Sequence, residues 1–211
     1  MIALTTWATP GFRDGCCSIC ITSIRSYVMQ HDATARFVAP SSPVEFRHPS
    51  WRRLPIMRHL INSEYDWLVW LDADGVIVPH ALDLDYWLSN VPEAVNVVTG
   101  HDWNGICNAF IAVRCCPWSD DFLRAMHFIG TFADVGMGNE FEQSLFKSFF
   151  MRAREHQHRL LLAPSAIFAD ISLSSKDCQF YYHVGGGNTV DTQQAVLAGQ
   201  ATTGMQHGVR Y

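Results

Sequence analysis

Apolar residues fall along this chain in blocks whose spacing switches repeatedly between strand-like and helix-like. Residues 2–8 form a largely apolar run, the pattern of a buried first strand, and Pro10-Gly11 predicts a turn after it. Asp14 is placed to cap a helix whose Cys17, Cys20, Ile21, Ile24 and Val28 share one face. Residues 36–39 predict a short second strand, followed by a loop rich in Pro and Ser. A helix over 51–62 turns Leu54, Met57, Leu60 and Ile61 inward and leads into Trp67-Leu68-Val69-Trp70-Leu71, an unbroken apolar run suited to a central strand covered on both faces. Beyond it the pattern predicts helices near 82–88, 120–129 and 140–152, with strands at 95–99, 106–114, 160–162 and 180–183. Strands alternating with helices imply one α/β sandwich around a mostly parallel sheet. The expected domain spans residues 1–187, and 188–211 is expected to be a C-terminal tail or an active-site loop of that domain.

Composition narrows this picture modestly. With 211 residues, 48% of them hydrophobic and 17% charged, the chain has enough apolar material for a real core. A formal net charge of −5 does not indicate a dedicated nucleic-acid binder, although Arg52, Arg53, Arg58 and His59 gather locally. The 7 cysteines include the pairs Cys16-Cys17 and Cys115-Cys116, and reduced thiols are the expectation. Cys17 and Cys20 have CxxC spacing, but no second pair stands at zinc spacing. Neither a leader-like segment nor an apolar run of membrane-spanning length is visible, so the expected location is the cytoplasm, as for a bacterial protein or a viral one in its host.

The sharpest chemistry is Asp72-Ala73-Asp74-Gly75, directly after the buried strand. Alternation along an extended chain sends both carboxylates to one side. The C-terminal edge of a parallel sheet is where α/β proteins bind ligands. Two adjacent carboxylates need a cation or water between them, and hard oxygen donors suit Mg²⁺ or Mn²⁺ bridging to a diphosphate. Solvated aspartates at a strand end are the plainer alternative. His183 closes an aromatic strand and enters Gly185-Gly186-Gly187, where it can reach a metal while the glycines admit a phosphate; a buried, satisfied histidine is its plainer alternative. Asn108-Ala109 and Glu142-Gln143 pair amide and carboxylate chemistry suited to sugar hydroxyls or a reacting carbon.

In order along the chain, these pieces form a pattern. Arg52-Arg53-Leu54-Pro55 through the aromatic strand to Asp72-Ala73-Asp74, then Cys107-Asn108-Ala109-Phe110, Glu142-Gln143-Ser144 and His183-Val184-Gly185-Gly186, resemble the galactosyl/xylosyltransferase family that includes plant xyloglucan xylosyltransferases and fungal Golgi mannan galactosyltransferases. The resemblance implies a GT-A fold, a metal (Mn²⁺ or Mg²⁺) bound by Asp72, Asp74 and His183, and a UDP-sugar donor transferred with retention of configuration to an acceptor hydroxyl. It also implies a donor pocket including Thr5, Thr6, Arg53, Ala73, Asn108, Ala109, Gly185 and Gly186, with Gln143 and Glu142 nearest the chemistry. Phe110 stands where the family carries glycine, which predicts a reshaped sugar pocket, and Glu142 stands where it carries aspartate. The acceptor is open: a glycan, a protein or a hydroxylated base of viral DNA.

Two other readings fit part of the sequence. Leu71-Asp72-Ala73-Asp74-Gly75-Val76 looks like the nucleophile motif of haloacid-dehalogenase-type Mg²⁺ phosphatases, except that Val76 replaces the usual threonine. A sugar-nucleotide-binding protein without turnover is the other.

Overall fold

The computed structural model describes residues 1–40, 48–61, 64–102, 105–133, 141–170, 178–184 and 189–198. Its centre is a six-stranded sheet in the order β2-β1-β3-β6-β5-β7, made of β1 (Ile2–Thr5), β2 (Ala35–Phe37), β3 (Trp67–Leu71), β5 (Val97–Asp102), β6 (Gly105–Arg114) and β7 (Leu160–Leu162). β1 pairs in parallel with β2 and β3, and β5 with β7, while β6 lies antiparallel to both β3 and β5. The sheet is therefore mostly parallel with β6 reversed.

Every residue of β3 is buried, as an apolar run without alternation requires. On one face Leu4, Val69, Leu71, Phe110 and Ala112 pack against Ile24 and Tyr27 of α2 (Ser18–Gln30) and Leu84 and Leu88 of α4 (Leu84–Ser89). On the other, Leu68, Trp70, Ile111 and Val113 meet Leu54 and Met57 of α3 (Arg53–Leu60), Phe122 and Met126 of α5 (Pro117–Ala133) and Phe146 of α6 (Phe141–Arg152).

A second, three-stranded sheet, ordered β4-β9-β8, joins β4 (Gly75–Ile77), β8 (Phe168–Asp170) and β9 (Tyr181–His183). β4 leaves the Asp72–Gly75 turn, in which Gly75 N donates to Asp72 O at 3.2 Å, and runs antiparallel to β9. This small sheet brings residues 181–183 back to the end of β3.

Local expectations are corrected in three places. Pro10-Gly11 opens a helical turn, α1 (Pro10–Phe12), which continues through a π-helical stretch at Arg13–Cys17. Asp14 falls inside that stretch, and α2 begins with Cys17 at its N-cap position and no side-chain cap. Residues 189–197, expected in a tail or loop, form α7 (Thr189–Leu197), whose buried face is the polar pair Thr192 and Gln193. The cysteines described are all free thiols. No described helix is long and apolar enough to cross a membrane.

Candidate functional site

β3 ends by delivering Trp70 and Asp72 to the same side of the sheet. The Trp70 indole N–H consequently donates to Asp72 Oδ1 at 2.6 Å. From the start of α3, Arg53 reaches the same carboxylate, with Nη2 3.2 Å from Asp72 Oδ2. Its Nε is 2.9 Å from Glu142 Oε1 on α6, and Nη1 donates to the Asn108 carbonyl. Arg53, only 7% exposed, is thus a buried hub between two carboxylates. Burial disfavours its charge, but Asp72 and Glu142 outweigh that and keep the guanidinium firmly protonated.

Asn108 and Ala109 owe their position to an irregularity in β6. Thr99 pairs with Ile111 but the next residue, Gly100, pairs with Cys107, so residues 108–110 bulge away from β5. Thr99 Oγ1 sits 3.2 Å from the carbonyl oxygens of both Cys107 and Phe110, bridging the two ends of the bulge. On the other side Ala109 O accepts from Asp72 N at 2.9 Å, fastening the bulge to the aspartate turn. Gln143 Oε1 accepts from Asn108 N at 2.9 Å, which fixes the orientation of the amide and leaves its NH₂ as a donor. The Asn108 side-chain amide is buried and has no partner on either nitrogen or oxygen among the described residues.

Asp74 is held from the other direction. The register of the small sheet sets His183 opposite Gly75 and beside Asp170. His183 Nε2 lies 3.3 Å from Asp74 Oδ1, and Nδ1 lies 2.6 Å from Asp170 Oδ2. Burial pulls the imidazolium down, yet the charge of Asp74 and the bonds to both carboxylates hold it well above the usual histidine range. Asp74 is likewise pushed up by burial, but its His183 partner brings it below the ordinary carboxylate value. Donor atoms of Asp72, Asp74 and His183 lie within 4.8 Å of one another, each residue partly exposed. Two hard carboxylates and an imidazole at that spacing fit a divalent cation.

The Asp72–Gly75 turn is also fixed from beneath. Tyr181 donates its hydroxyl to Asp72 O at 2.6 Å, and Gln193 of α7 donates to the carbonyls of Ala73 and Gly75 at 3.3 and 3.0 Å. A Cβ on Gly75 would stand 2.1 Å from the Tyr181 hydroxyl, so glycine is required for this close approach.

Asp72, Ala73, Asp74, Asn108, Ala109, Gln143, Glu142, Arg53 and His183 are therefore parts of one connected site. Thr5 and Thr6 lie at the end of β1 beside it, both buried, and the Thr5 hydroxyl is spent on Val38 O at 2.9 Å. Gly185 and Gly186 lie outside the described residues. Phe110 does not reshape a sugar pocket: its ring is fully buried in the core against Phe168, Phe180 and Tyr181. The bulge explains this, because it turns Phe110 to the core side while Asn108 meets Arg53 and Gln143. Asp170 and Gln193 escaped sequence reading, since a lone Asp in Phe168-Ala169-Asp170 and a Gln in a polar stretch carry no local signal.

The strand order, the reversed β6 and the acidic turn ending β3 decide the architecture. The fold is GT-A. Comparison of structures agrees: a glycosyltransferase involved in the glycosylation of the major capsid of PBCV-1 superposes with a TM-score of 0.72 at 13% identity, over 92% of this chain and 97% of that one. The apo-form glycosyltransferase GlyE of Streptococcus pneumoniae TIGR4 superposes with a TM-score of 0.63 at 8% identity, over 92% of this chain and 59% of GlyE. Identities this low establish likeness of GT-A fold, not of substrate. No family model matches the chain, and no curated protein matches it in sequence.

Proposed function

We propose that this GT-A protein is a metal-dependent glycosyltransferase that moves a sugar from a nucleotide-sugar, a UDP-sugar in the first instance, to an acceptor hydroxyl. The observation that carries the proposal is the convergence of Asp72, Asp74 and His183 at the end of β3, next to the Asn108–Gln143 pair. A Mn²⁺ or Mg²⁺ ion held by those three residues would supply positive charge to the departing nucleoside diphosphate.

The protein's own groups have distinct tasks. Arg53 and Trp70 orient Asp72, and Asp170 orients His183. The Asn108 amide, unpartnered among the described residues, and the Gln143 NH₂ are hydrogen-bonding groups for the donor sugar, since a buried amide left unsatisfied costs about 1–3 kcal/mol. Glu142, the carboxylate that a double displacement would employ, is 2% exposed and paired to Arg53. That burial favours transfer with retention by front-face attack, in which the acceptor hydroxyl passes its proton to a leaving-phosphate oxygen. The acceptor itself is proposed only as a hydroxyl of a glycan, protein or modified base.

The phosphatase reading is disfavoured. Its general acid would be Asp74, but the His183 partner holds that carboxyl below the ordinary carboxylate value, the wrong direction for a proton donor. A thermal-shift screen of nucleotide-sugars with and without Mn²⁺, followed by donor hydrolysis, tests the proposal. Stabilisation by a UDP-sugar only with Mn²⁺, lost in Asp72→Ala, is expected. Mg²⁺-dependent phosphatase activity with no nucleotide effect would overturn it. Metal-dependent donor binding with no transfer or hydrolysis would mark a binding protein instead.

A further inference from the structure

His183 faces two different sets of donors. Its Nε2 looks toward Asp74 in the oxygen-rich set. Behind it, Asp170 Oδ2 lies 2.6 Å from Nδ1, and Cys107 completes a trio whose donor atoms all fall within 4.8 Å of one another. The trio draws on three strands, β6, β8 and β9, and Cys107 and Asp170 are only 4% and 7% exposed. Cys107 also belongs to the apolar cluster that contains Phe110 and Phe168.

We propose that Cys107, Asp170 and His183 form a second cation site, suited to a thiophilic ion such as Zn²⁺, back to back with the Asp72–Asp74 set. The donor types decide the selectivity. One thiolate, one imidazole and one carboxylate, with a fourth position left for water, is a zinc-type set, and thiolate is a poor partner for Mg²⁺ or Mn²⁺. Charge balance permits the burial: on loading, the Cys107 thiol and His183 Nδ1 each release a proton, and the thiolate and carboxylate then neutralise the dication.

The two sets interact because both draw on the His183 ring. A neutral imidazole has one lone pair. With Nδ1 bound to the soft ion, Nε2 carries the remaining proton and donates it to Asp74, so the oxygen-rich set loses its third ligand. Zn²⁺ is accordingly an antagonist of Mn²⁺ here, a consequence that rests on the function proposed above. The existence of the second site does not.

The test is zinc-edge X-ray absorption on the full chain loaded with one equivalent of Zn²⁺. One sulfur neighbour at about 2.3 Å beside lighter neighbours at about 2.0–2.1 Å is expected. It should vanish in Cys107→Ser and survive in Asp72→Asn. A shell of oxygen and nitrogen alone, a sulfur that persists in Cys107→Ser, or its loss in Asp72→Asn each overturns the site. If Cys107→Ser does not fold, peptide-resolved alkylation of the wild-type chain identifies the thiol directly. Zn²⁺ should then slow modification at Cys107, and slowing confined to another cysteine would refute the assignment. Failure of Mn²⁺-dependent donor binding with the sulfur signal intact would sink the transferase reading and leave this site standing.

Discussion

Asp170 holds the Nδ1 edge of His183 and so decides which nitrogen meets an ion beside Asp74. A carboxylate behind a ligating histidine is commonly worth 10–100-fold in metal affinity. Asp170→Ala should therefore weaken Mn²⁺ binding by about that factor in calorimetry, whereas Asp170→Asn, which can still accept the N–H, should keep most of it. Equal Mn²⁺ affinity in the wild type and Asp170→Ala would remove Asp170 from the site. Arg53 makes the opposite kind of prediction, one of stability. Replacing it by Met leaves Glu142 and Asp72 without their buried partner and should cost about 3–5 kcal/mol in urea unfolding; a loss below about 1 kcal/mol would show that the pairs are not coupled. At this scale the sequence was informative where chemistry and pattern coincide. Asp72 and Asp74 stood out because an uninterrupted apolar strand ends on them. Arg53 was expected only as part of the donor pocket; its pairing with two carboxylates was not legible, because nothing local reveals that Glu142 folds onto it from far along the chain.

Among the elements, long runs with a clear period were legible and short or polar ones were not. β3 and β7 have the bounds that the apolar runs predict. β4 and β8, three residues each, are too short to show a period, and they exist because β9 supplies their ladder. α7 was hidden by Gln193, whose amide serves the backbone of the aspartate turn rather than an apolar core. Gly75 joins these two scales, since it sits where β4 leaves the site, against the Tyr181 ring. Gly75→Ala should displace Tyr181, destabilise the protein by about 1–3 kcal/mol and abolish Mn²⁺-dependent donor binding together. Donor binding that survives in a destabilised Gly75→Ala protein would separate the small sheet from the site.

For the molecule as a whole, a donor and Mn²⁺ that bind only the folded state act as a thermodynamic weight on it. At a hundredfold excess over Kd, the stabilisation is about 2.7 kcal/mol, which for a chain of 211 residues corresponds to about 5–10 °C in melting temperature. A shift of that size with both present, and far less with either alone, is the expected calorimetric result. The same global view gives the small sheet a meaning in time. Tyr181 grips the carbonyl of Asp72 across 109 positions of sequence, and His183 follows two residues later. During synthesis, the aspartate turn therefore leaves the ribosome long before the strand that completes it. At about 5–20 residues per second, the nascent chain carries its two carboxylates unclosed for about 5–20 s. The proposed metal set can therefore close only once His183 has been made.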